Sequence, residues 1–217
     1  AILAAAADAE SQQAAVAAVK DSDCFNWGYD PLHYNAPDGS YSSNANDGKT
    51  RIKEMREAVQ ALHNAGLRVT IDVVYNHTPA AGPTDSKSTL DKIVPKYYHR
   101  YINGSVANST CCANTATENK MMEKLLIDST KLWASASKLD GFRVDLMGHI
   151  PKAAMVKLKT DTDAAAGRSL YYYGEGWNFG EVENDKLFVQ ASMLNMAGTG
   201  IGTFSDRARD ALRGDAF

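Results

Sequence analysis

The chain has 217 residues, of which 44% are hydrophobic and 23% are charged, a composition typical of a soluble globular domain. The net charge is −3 without a long run of one sign, which favours neither a nucleic-acid partner nor an anionic membrane surface. Residues 1–20 are alanine-rich but broken by charged and amide side chains. They therefore predict a helix or an arm rather than a membrane span, followed by one domain over 21–217.

The first helix–strand unit carries apolar residues at helical spacing between residues 52 and 62, and Gly66 follows as a stop signal. The run 67–74 (LRVTIDVV) is rich in β-branched residues and nearly continuously apolar. This pattern predicts a strand buried on both faces of a parallel sheet. A polar cluster that contains Asn76 and His77 follows the strand.

The second unit begins at 115–118 (TATE), which fits a capping box, and continues as an amphipathic helix. It ends in the predicted strand 141–145 (GFRVD). Arg143 precedes Asp145 by two residues, so both side chains point to the same face of a strand. The guanidinium can then hold the Asp145 carboxylate in its ionised form.

The third unit starts a helix at Pro151 and reaches the predicted strand 170–173 (LYYY). The sequence 174–177 (GEGW) follows, so that Glu175 lies at the end of this strand. A fourth short strand is predicted near 201–204.

Helices that alternate with short apolar strands predict a parallel α/β fold. Because a complete barrel usually takes about 250 residues, we expect a partial (β/α)₈ TIM barrel. In such folds the chemistry lies beyond the carboxyl ends of the strands, where His77, Asp145 and Glu175 fall. The stretch 78–119 is rich in Pro, Ser, Asn and Gly, which predicts an extended loop or small subdomain beside the site.

Asp145 and Glu175 together supply the two carboxyl groups that cleavage of a glycosidic bond requires. Neighbouring parallel strands lie about 4.8 Å apart, which suits the roughly 5 to 5.5 Å between the carboxyl groups of retaining enzymes. The alternative is a structural ion pair with Arg143. Asp72, inside an apolar strand, is expected to support the site rather than to react.

Aromatic and amide residues cluster at two predicted loops, 25–29 (FNWGY) and 177–179 (WNF). Such clusters suit sugars, which offer C–H faces to rings and hydroxyls to amides. The three cysteines, Cys24, Cys111 and Cys112, lack the spacing of a zinc site, so no metal is predicted. The adjacent pair indicates either two thiols or one vicinal disulfide.

Three segments closely resemble, in order and spacing, the signatures of the α-amylase superfamily of glycoside hydrolases. They are 72–77 (DVVYNH), 141–145 (GFRVD) and 174–177 (GEGW). The segment 26–31 (NWGYDP) resembles the motif of one subgroup, the type I pullulanases and limit dextrinases. The runs 90–95 (LDKIVP) and 198–207 (GTGIGTFSDR) are similar to that subgroup as well.

This resemblance implies hydrolysis of α-1,6-glucosidic branch linkages in pullulan, limit dextrins and related α-glucans by a retaining double displacement. Asp145 would be the nucleophile and Glu175 the general acid/base. The resemblance requires no cofactor for the chemistry and leaves a structural calcium open. It further implies that Tyr29, His77, Arg143, Trp177 and His149 bind substrate and that Trp27, Asp72 and Asn76 support the site.

The family's fourth signature, which carries an Asp that stabilises the transition state and a His, is not found before Phe217. We therefore expect a fragment whose partners, besides an α-glucan, are the missing barrel strands and accessory domains of a parent chain. Two alternatives stay open: a noncatalytic α-glucan-binding module and a relative that cleaves α-1,4 bonds. The compartment also stays open, with a secreted or cell-surface bacterial protein favoured.

Overall fold

The computed structural model describes residue 6 and residues 9–19 and 27–214. Cys24 and the first two residues of the predicted aromatic cluster at 25–29 lie outside the described residues. The helices of the described part are α1 Glu10–Ala17, α2 Gly48–Asn64, α3 Lys120–Ala136, α4 Lys152–Ala166 and α5 Asp206–Arg213. The strands are β1 Thr70–Val73, β2 His77–Thr78, β3 Tyr101–Ile102, β4 Ser105–Val106, β5 Ala113–Asn114, β6 Gly141–Val144, β7 Tyr171–Gly174 and β8 Gly202–Thr203.

The central sheet contains four parallel strands in the order β1, β6, β7, β8, which is also their order along the chain. Helix α4 connects β6 to β7, and α3 leads into β6. The predicted parallel α/β class is thereby confirmed. Because all four strands run in the same direction, their carboxyl ends meet at one edge of the sheet.

The first predicted strand is shorter and more exposed than its sequence suggests. Strand β1 covers Thr70–Val73 instead of 67–74, and among its residues only Val73 is buried. Within the described residues β1 pairs with β6 on one side only. The prediction that this strand is buried on both faces is therefore wrong for these residues.

The predicted capping box at 115–118 is also wrong, because its residues bond elsewhere. Helix α3 begins at Lys120, and its N-cap residue Asn119 forms no side-chain capping hydrogen bond. The Thr115 hydroxyl donates to the Tyr75 carbonyl at 2.5 Å, and Glu118 pairs with Arg100 at 2.8 Å. Helix α2, in contrast, has a conventional N-cap at Asp47, which accepts hydrogen bonds from two backbone N–H groups.

The core lies between the sheet and the helices α3 and α4, which pack against each other. Phe142 of β6 and Tyr172 of β7 stack with their ring centroids 5.8 Å apart, and both are buried. Leu126 of α3 and Met155 and Leu158 of α4 join this cluster. Burying a side chain of this size stabilises the fold by about 1.5–3 kcal/mol, so this layer fixes where the strands end.

The loop segment 78–119 contains short antiparallel pairings rather than further parallel strands. Strand β2 pairs with β5, and β3 pairs with β4 as a hairpin. The β2–β5 pairing places His77 opposite Asn114 and so attaches the loop to the end of β1. None of the helices in the described ranges is long and apolar enough to cross a membrane.

Candidate active site

Two carboxylates follow neighbouring strands at the carboxyl edge of the sheet. Val144 of β6 is in register with Gly174 of β7, so the next residues, Asp145 and Glu175, leave the sheet side by side. The Asp145 N–H donates to the Val73 carbonyl at 3.0 Å. The Glu175 N–H donates to the Val144 carbonyl at 3.2 Å, so the sheet ladder holds the backbone of both residues.

Arg143 joins three carboxylates through one guanidinium group. Its Nη1 lies 2.7 Å from Asp145 Oδ1 and 2.9 Å from Asp72 Oδ1, and its Nη2 lies 2.9 Å from Glu175 Oε1. Burial alone would lower the pKa of Arg143, but hydrogen bonds to Asp145 and Asp72 raise it above its usual value. A permanent cation therefore sits between the two predicted reacting groups.

Two aromatic rings cover the same guanidinium. Arg143 Cζ lies 5.7 Å from the ring centroid of Tyr29 and 5.8 Å from that of Phe204. The Tyr29 hydroxyl donates to Asp72 Oδ2 at 2.8 Å, and this hydrogen bond raises the pKa of Tyr29 to about 12. Tyr29 is thus fixed beside the carboxylates as a neutral phenol. The contribution of Phe204 was not foreseen, because only packing brings the segment after β8 to Arg143.

Asn76 links His77 to the predicted nucleophile. The Asn76 amide nitrogen donates to Asp145 Oδ2 at 2.8 Å and to the Asp145 carbonyl at 3.1 Å. The Asn76 amide oxygen lies 2.6 Å from His77 Nδ1, and His77 Nε2 lies 2.8 Å from the Tyr29 carbonyl. Three residues predicted for the site, Asn76, His77 and Tyr29, are therefore joined to Asp145 by hydrogen bonds.

Leu146 is a site residue that the sequence did not reveal. Its φ of 39° lies in the left-handed region, which non-glycine residues seldom adopt, directly after Asp145. This turn aims the Leu146 N–H at Glu175 Oε2, at a distance of 3.0 Å. Backbone conformations of this kind concentrate at functional sites and are held there by their surroundings.

Two of the residues predicted to bind substrate, Trp177 and His149, are placed differently from each other. Trp177 is half-buried, and its backbone packs so tightly against Gly148 that a side chain at 148 would meet the Trp177 carbonyl. We expected His149 to bind substrate, but it is only 1% exposed. Its ring packs against Phe179 at 4.6 Å, and its Nε2 lies 3.0 Å from Ser109 Oγ. Contact between His149 and a substrate would therefore require a rearrangement.

A cavity of about 920 Å³ adjoins the site on the side of β1. Its lining includes Trp27, Tyr29 and Asp72, whereas Asp145 and Glu175 are not among the described residues that line it. Trp27 is 79% exposed. The carboxylate pair therefore lies outside the cavity, and Tyr29 with Asp72 forms the boundary between the two.

A second arginine-centred cluster lies behind the site and was not foreseen from the sequence. Arg100 contacts Glu118 and Glu181, each at 2.8 Å, and donates to the His149 carbonyl at 3.1 Å. Burial raises the pKa of Glu181, but hydrogen bonds from Ser109, Arg100 and Asn114 outweigh it and lower the pKa to about 2. Burial, with a smaller contribution from the charge of Arg100, outweighs the opposing charge of Glu181 and lowers the pKa of His149 to about 4, so this histidine is neutral near pH 7.

The sequence of this chain is similar to segments of known pullulanases. No family model matches the chain. It is 48% identical over 215 residues to Pullulanase 1, chloroplastic, of Arabidopsis thaliana, covering 95% of this chain and 22% of that protein. It is 49% identical over 199 residues to Pullulanase of Klebsiella pneumoniae, covering 90% of this chain and 18% of that protein. This chain is a homologue of one segment of the pullulanases.

Solved pullulanase structures contain the same fold as this chain. PulA from Klebsiella oxytoca superposes with a TM-score of 0.87 at 47% identity, covering 100% of this chain and 20% of that chain. Klebsiella pneumoniae pullulanase complexed with maltotriose superposes with a TM-score of 0.85 at 48% identity, covering 96% and 20%. The chain thus spans about a fifth of the length of the pullulanases it matches, and the resemblance predicted from the motifs is confirmed.

Proposed function

We propose that this chain is the catalytic segment of a starch-debranching glycoside hydrolase that cleaves α-1,6-glucosidic bonds with retention of configuration. The observation that carries the proposal is the pair of strand-end carboxylates, Asp145 and Glu175, held by the single guanidinium of Arg143. The pullulanase names of the relatives support the choice of reaction. The longer protein to which the segment would belong is called the parent enzyme below.

The first step of the proposed mechanism breaks the glycosidic bond. A carboxylate oxygen of Asp145 attacks the anomeric carbon, while Glu175 donates its proton to the departing glycosidic oxygen. The products of this step are a glucosyl ester on Asp145 and a shortened glucan with a free hydroxyl. In the second step Glu175 removes a proton from water, which attacks the same carbon and releases Asp145. Two inversions give net retention.

The surrounding contacts assign different roles to the two carboxylates. Asp145 is held at one oxygen by Arg143 and at the other by Asn76, which orients it for attack. Glu175 is held by Arg143 and by the Leu146 N–H. Because a general acid must carry a proton, substrate entry has to loosen the contact between Glu175 and Arg143. Positioning matters here, since a displacement of about 1 Å can cost roughly 10²-fold in rate.

An α-glucan is proposed as the ligand because aromatic rings border the carboxylates. Tyr29 offers a ring face beside Arg143, Trp27 is exposed at the neighbouring cavity, and the half-buried Trp177 follows Glu175 by two residues along the chain. His77 would contact the sugar next to the cleaved bond. The solved Klebsiella pneumoniae pullulanase with maltotriose is consistent with a ligand of this class. The mechanism requires no cofactor.

We also propose that the four parallel strands are consecutive strands of a (β/α)₈ barrel that other parts of the parent enzyme complete. In support, the spatial order of β1, β6, β7 and β8 equals their order along the chain. The site at their carboxyl ends is where barrels of this type place their chemistry. The stretch 78–119 would then be an insertion over the site. The missing strands and accessory domains would be partners supplied by the parent enzyme.

The test of the proposed function uses the parent enzyme with pullulan and, in parallel, with a linear α-1,4-glucan. Product size, linkage and the configuration of the freshly released anomeric carbon are measured by chromatography and NMR. We expect maltotriose units from pullulan, released first as the α-anomer. Release from the linear glucan alone would indicate an α-1,4-acting relative. Calorimetric binding without sugar release would indicate a noncatalytic glucan-binding module.

The matched variant pair is Asp145→Asn and Asp128→Asn. Asp145→Asn removes the proposed nucleophile, and losses for such residues are about 10⁴-fold or more in kcat. Asp128 is an exposed carboxylate on α3 that pairs with Lys124, so Asp128→Asn should keep the turnover of the unmodified enzyme. Retained turnover in Asp145→Asn would exclude Asp145 as the nucleophile.

A further inference from the structure

The loop with the two adjacent cysteines brings a second set of reactive side chains to the site. Cys111 and Cys112 form a disulfide. Cys111 Sγ lies 3.5 Å from His77 Nε2, and Cys112 Sγ lies 3.6 Å from Asp30 Oδ1. His77 Nε2 and Asp30 Oδ1 are 3.8 Å apart. One ligand atom from each of these four residues lies within 4.8 Å of the other three.

Three of the six separations among these four atoms are close to the edges of a small coordination tetrahedron. Zn²⁺ binds four ligands tetrahedrally, with bonds of about 2.3 Å to sulfur and about 2.0–2.2 Å to nitrogen or oxygen. Such bonds place neighbouring ligand atoms about 3.3–3.8 Å apart. The three distances above, 3.5, 3.6 and 3.8 Å, fall in or next to that range. The covalent bond between the two sulfurs is what prevents both from serving as thiolate ligands.

We propose that reduction of the Cys111–Cys112 disulfide creates a binding site for a thiophilic divalent cation such as Zn²⁺. The ligands are the two thiolates, His77 Nε2 and one Asp30 carboxylate oxygen. A dithiol reductant delivers two electrons and two protons, becomes a disulfide itself and leaves two thiols. The cation then displaces one proton from each thiol as the two S–metal bonds form, and the proton that His77 Nε2 donates to the Tyr29 carbonyl leaves that nitrogen as the N–metal bond forms.

The neighbours of His77 orient its ring for metal binding through Nε2. Its Nδ1 lies 2.6 Å from Asn76 Oδ1, and because the Asn76 nitrogen donates to Asp145, the amide oxygen is the atom that faces the ring. Metal-binding histidines usually donate their second ring N–H to such an acceptor, which leaves the other nitrogen for the metal. The metal would replace the present contact between His77 Nε2 and the Tyr29 carbonyl at 2.8 Å.

The solvent access and the charge of the four ligand residues also suit a divalent cation. The His77 side chain is only 4% exposed, whereas that of Asp30 is 62% exposed, so the cluster is anchored on one side and open to solvent on the other. Two thiolates and one carboxylate supply more negative charge than the cation carries. Soft sulfur ligands with one imidazole favour Zn²⁺ over Ca²⁺ or Mg²⁺, which prefer oxygen ligands.

Metal binding would have a consequence for catalysis that rests on the proposed function. His77 would be ligated instead of contacting sugar, and the bonds to the loop would tether Tyr29 and Asp30 beside it. We expect Zn²⁺ to inhibit the reduced parent enzyme and to leave the oxidised enzyme unaffected at the same concentration. The disulfide thus protects the site from thiophilic cations.

The test titrates Co²⁺, a spectroscopic substitute for Zn²⁺, into the parent enzyme before and after reduction with a dithiol that is removed under argon. We expect the reduced enzyme to bind one more equivalent of Co²⁺ than the oxidised enzyme, with absorption from thiolate-to-cobalt charge transfer. Cys112→Ser should abolish this difference, and Ser86→Ala, at an exposed position of the same loop, should preserve it. Equal binding in both redox states, or a signal that survives Cys112→Ser, would overturn the proposal.

A second variant covers the case in which Cys112→Ser does not fold. Asp30→Ala removes an exposed side chain, so the enzyme should fold, as circular dichroism can check. We expect the affinity of the reduced enzyme for Co²⁺ to fall at least about tenfold. Unchanged affinity would remove Asp30 from the site and contradict the four-ligand assignment. Because Co²⁺ binding is measured without substrate, failure of this proposal is distinguishable from failure of the proposed function.

Discussion

Two arginines in this molecule each hold carboxylates, and they differ chiefly in their access to solvent. The Arg143 side chain is 14% exposed, and its partners Asp145, Glu175 and Asp72 are more or similarly open. The Arg100 side chain is 2% exposed, and its partners Glu181 and Glu118 are 9% and 31% exposed. The first cluster lies at the carboxyl edge of the sheet, and the second joins Arg100 and Glu118 of the loop 78–119 to Glu181.

The difference shows that an arginine–carboxylate cluster by itself does not mark a reactive site. Around Arg100, Glu181 also accepts hydrogen bonds from Ser109 and Asn114, so that buried charge is fully engaged. Around Arg143, the carboxylates lie at strand ends with aromatic rings beside them. Under the proposed function, the Arg143 cluster carries the chemistry and the Arg100 cluster contributes stability, and each assignment can be tested.

The largest expected effect on stability comes from Arg100→Met. This substitution keeps much of the side-chain volume but leaves Glu181 buried without its cation, which typically costs about 3–5 kcal/mol. Thermal or denaturant unfolding of the parent enzyme measures the loss. Arg209→Met, which breaks an exposed pair with Asp210, is the matched control and should have a far smaller effect because solvent screens that pair. Equal effects would contradict the structural role of Arg100.

The next largest expected effect is that His149 makes the free energy of unfolding vary with pH. Burial and Arg100 lower its pKa to about 4, against about 6.5 in the unfolded chain. Between pH 4 and pH 6.5 the His149 side chain is protonated in the unfolded chain but not in the folded protein. Stability is therefore present above pH 6.5 and is lost as the pH falls toward 4, by about 3 kcal/mol in all.

Unfolding measured from pH 7 to pH 4 checks this prediction. His149→Gln should flatten the curve in that window, and His33→Gln, at an exposed position, should leave it unchanged. Glu181, with a pKa of about 2, contributes in a more acidic window, below its unfolded value of about 4.3. A curve that keeps its slope in His149→Gln would contradict the burial of a neutral histidine.

A third test substitutes Arg143 instead of Arg100 and measures turnover instead of stability. Arg143→Lys keeps a positive charge but loses the planar fork that contacts Asp145 and Glu175 together. We expect kcat/KM on pullulan to fall about 10²-fold, as for a misplaced catalytic group. Arg100→Lys, assayed at a temperature where it is folded, should keep the turnover of the unmodified enzyme. A larger loss in Arg100→Lys would reverse the comparison.

The smallest effect is expected from Tyr29→Phe. The substitution removes only the hydrogen bond from the Tyr29 hydroxyl to Asp72 and keeps the ring above Arg143. A hydrogen bond to a charged group contributes about 1.5–3 kcal/mol, but Asp72 is 40% exposed and keeps its ion pair with Arg143, so kcat/KM should fall no more than about tenfold. Tyr171→Phe, at an exposed tyrosine at the amino end of β7, is the control. A loss as large as that in Arg143→Lys would show that the hydroxyl, rather than the ring, carries the role of Tyr29.

The features of the fold and site that depend on local sequence pattern were predicted from the sequence. Helical spacing followed by short apolar runs indicated the units that end at Asp145 and Glu175, and strand alternation placed Arg143 on the same face as Asp145. Because parallel strands end at one edge, the position of each carboxylate in its unit was enough to bring them together.

The remaining features depend on contacts between distant segments, which no local pattern encodes. Arg100 meets Glu181 across 81 positions, and this pairing buries the neighbourhood of His149, which we had expected to contact substrate. Glu118 bonds to Arg100 instead of completing a helix cap. The long loop also carries Cys111 to His77, a proximity that the cysteine spacing did not indicate.

The central claim is that Asp145 is the nucleophile, and trapping the intermediate tests it most directly. The parent enzyme is incubated with a fluorinated α-glucosyl substrate that slows hydrolysis of the covalent intermediate, then digested and sequenced by mass spectrometry. We predict a glucosyl adduct on Asp145 that is absent from Asp145→Asn. An adduct on Glu175 or Asp72, or turnover with inversion and no adduct, would contradict the proposed mechanism.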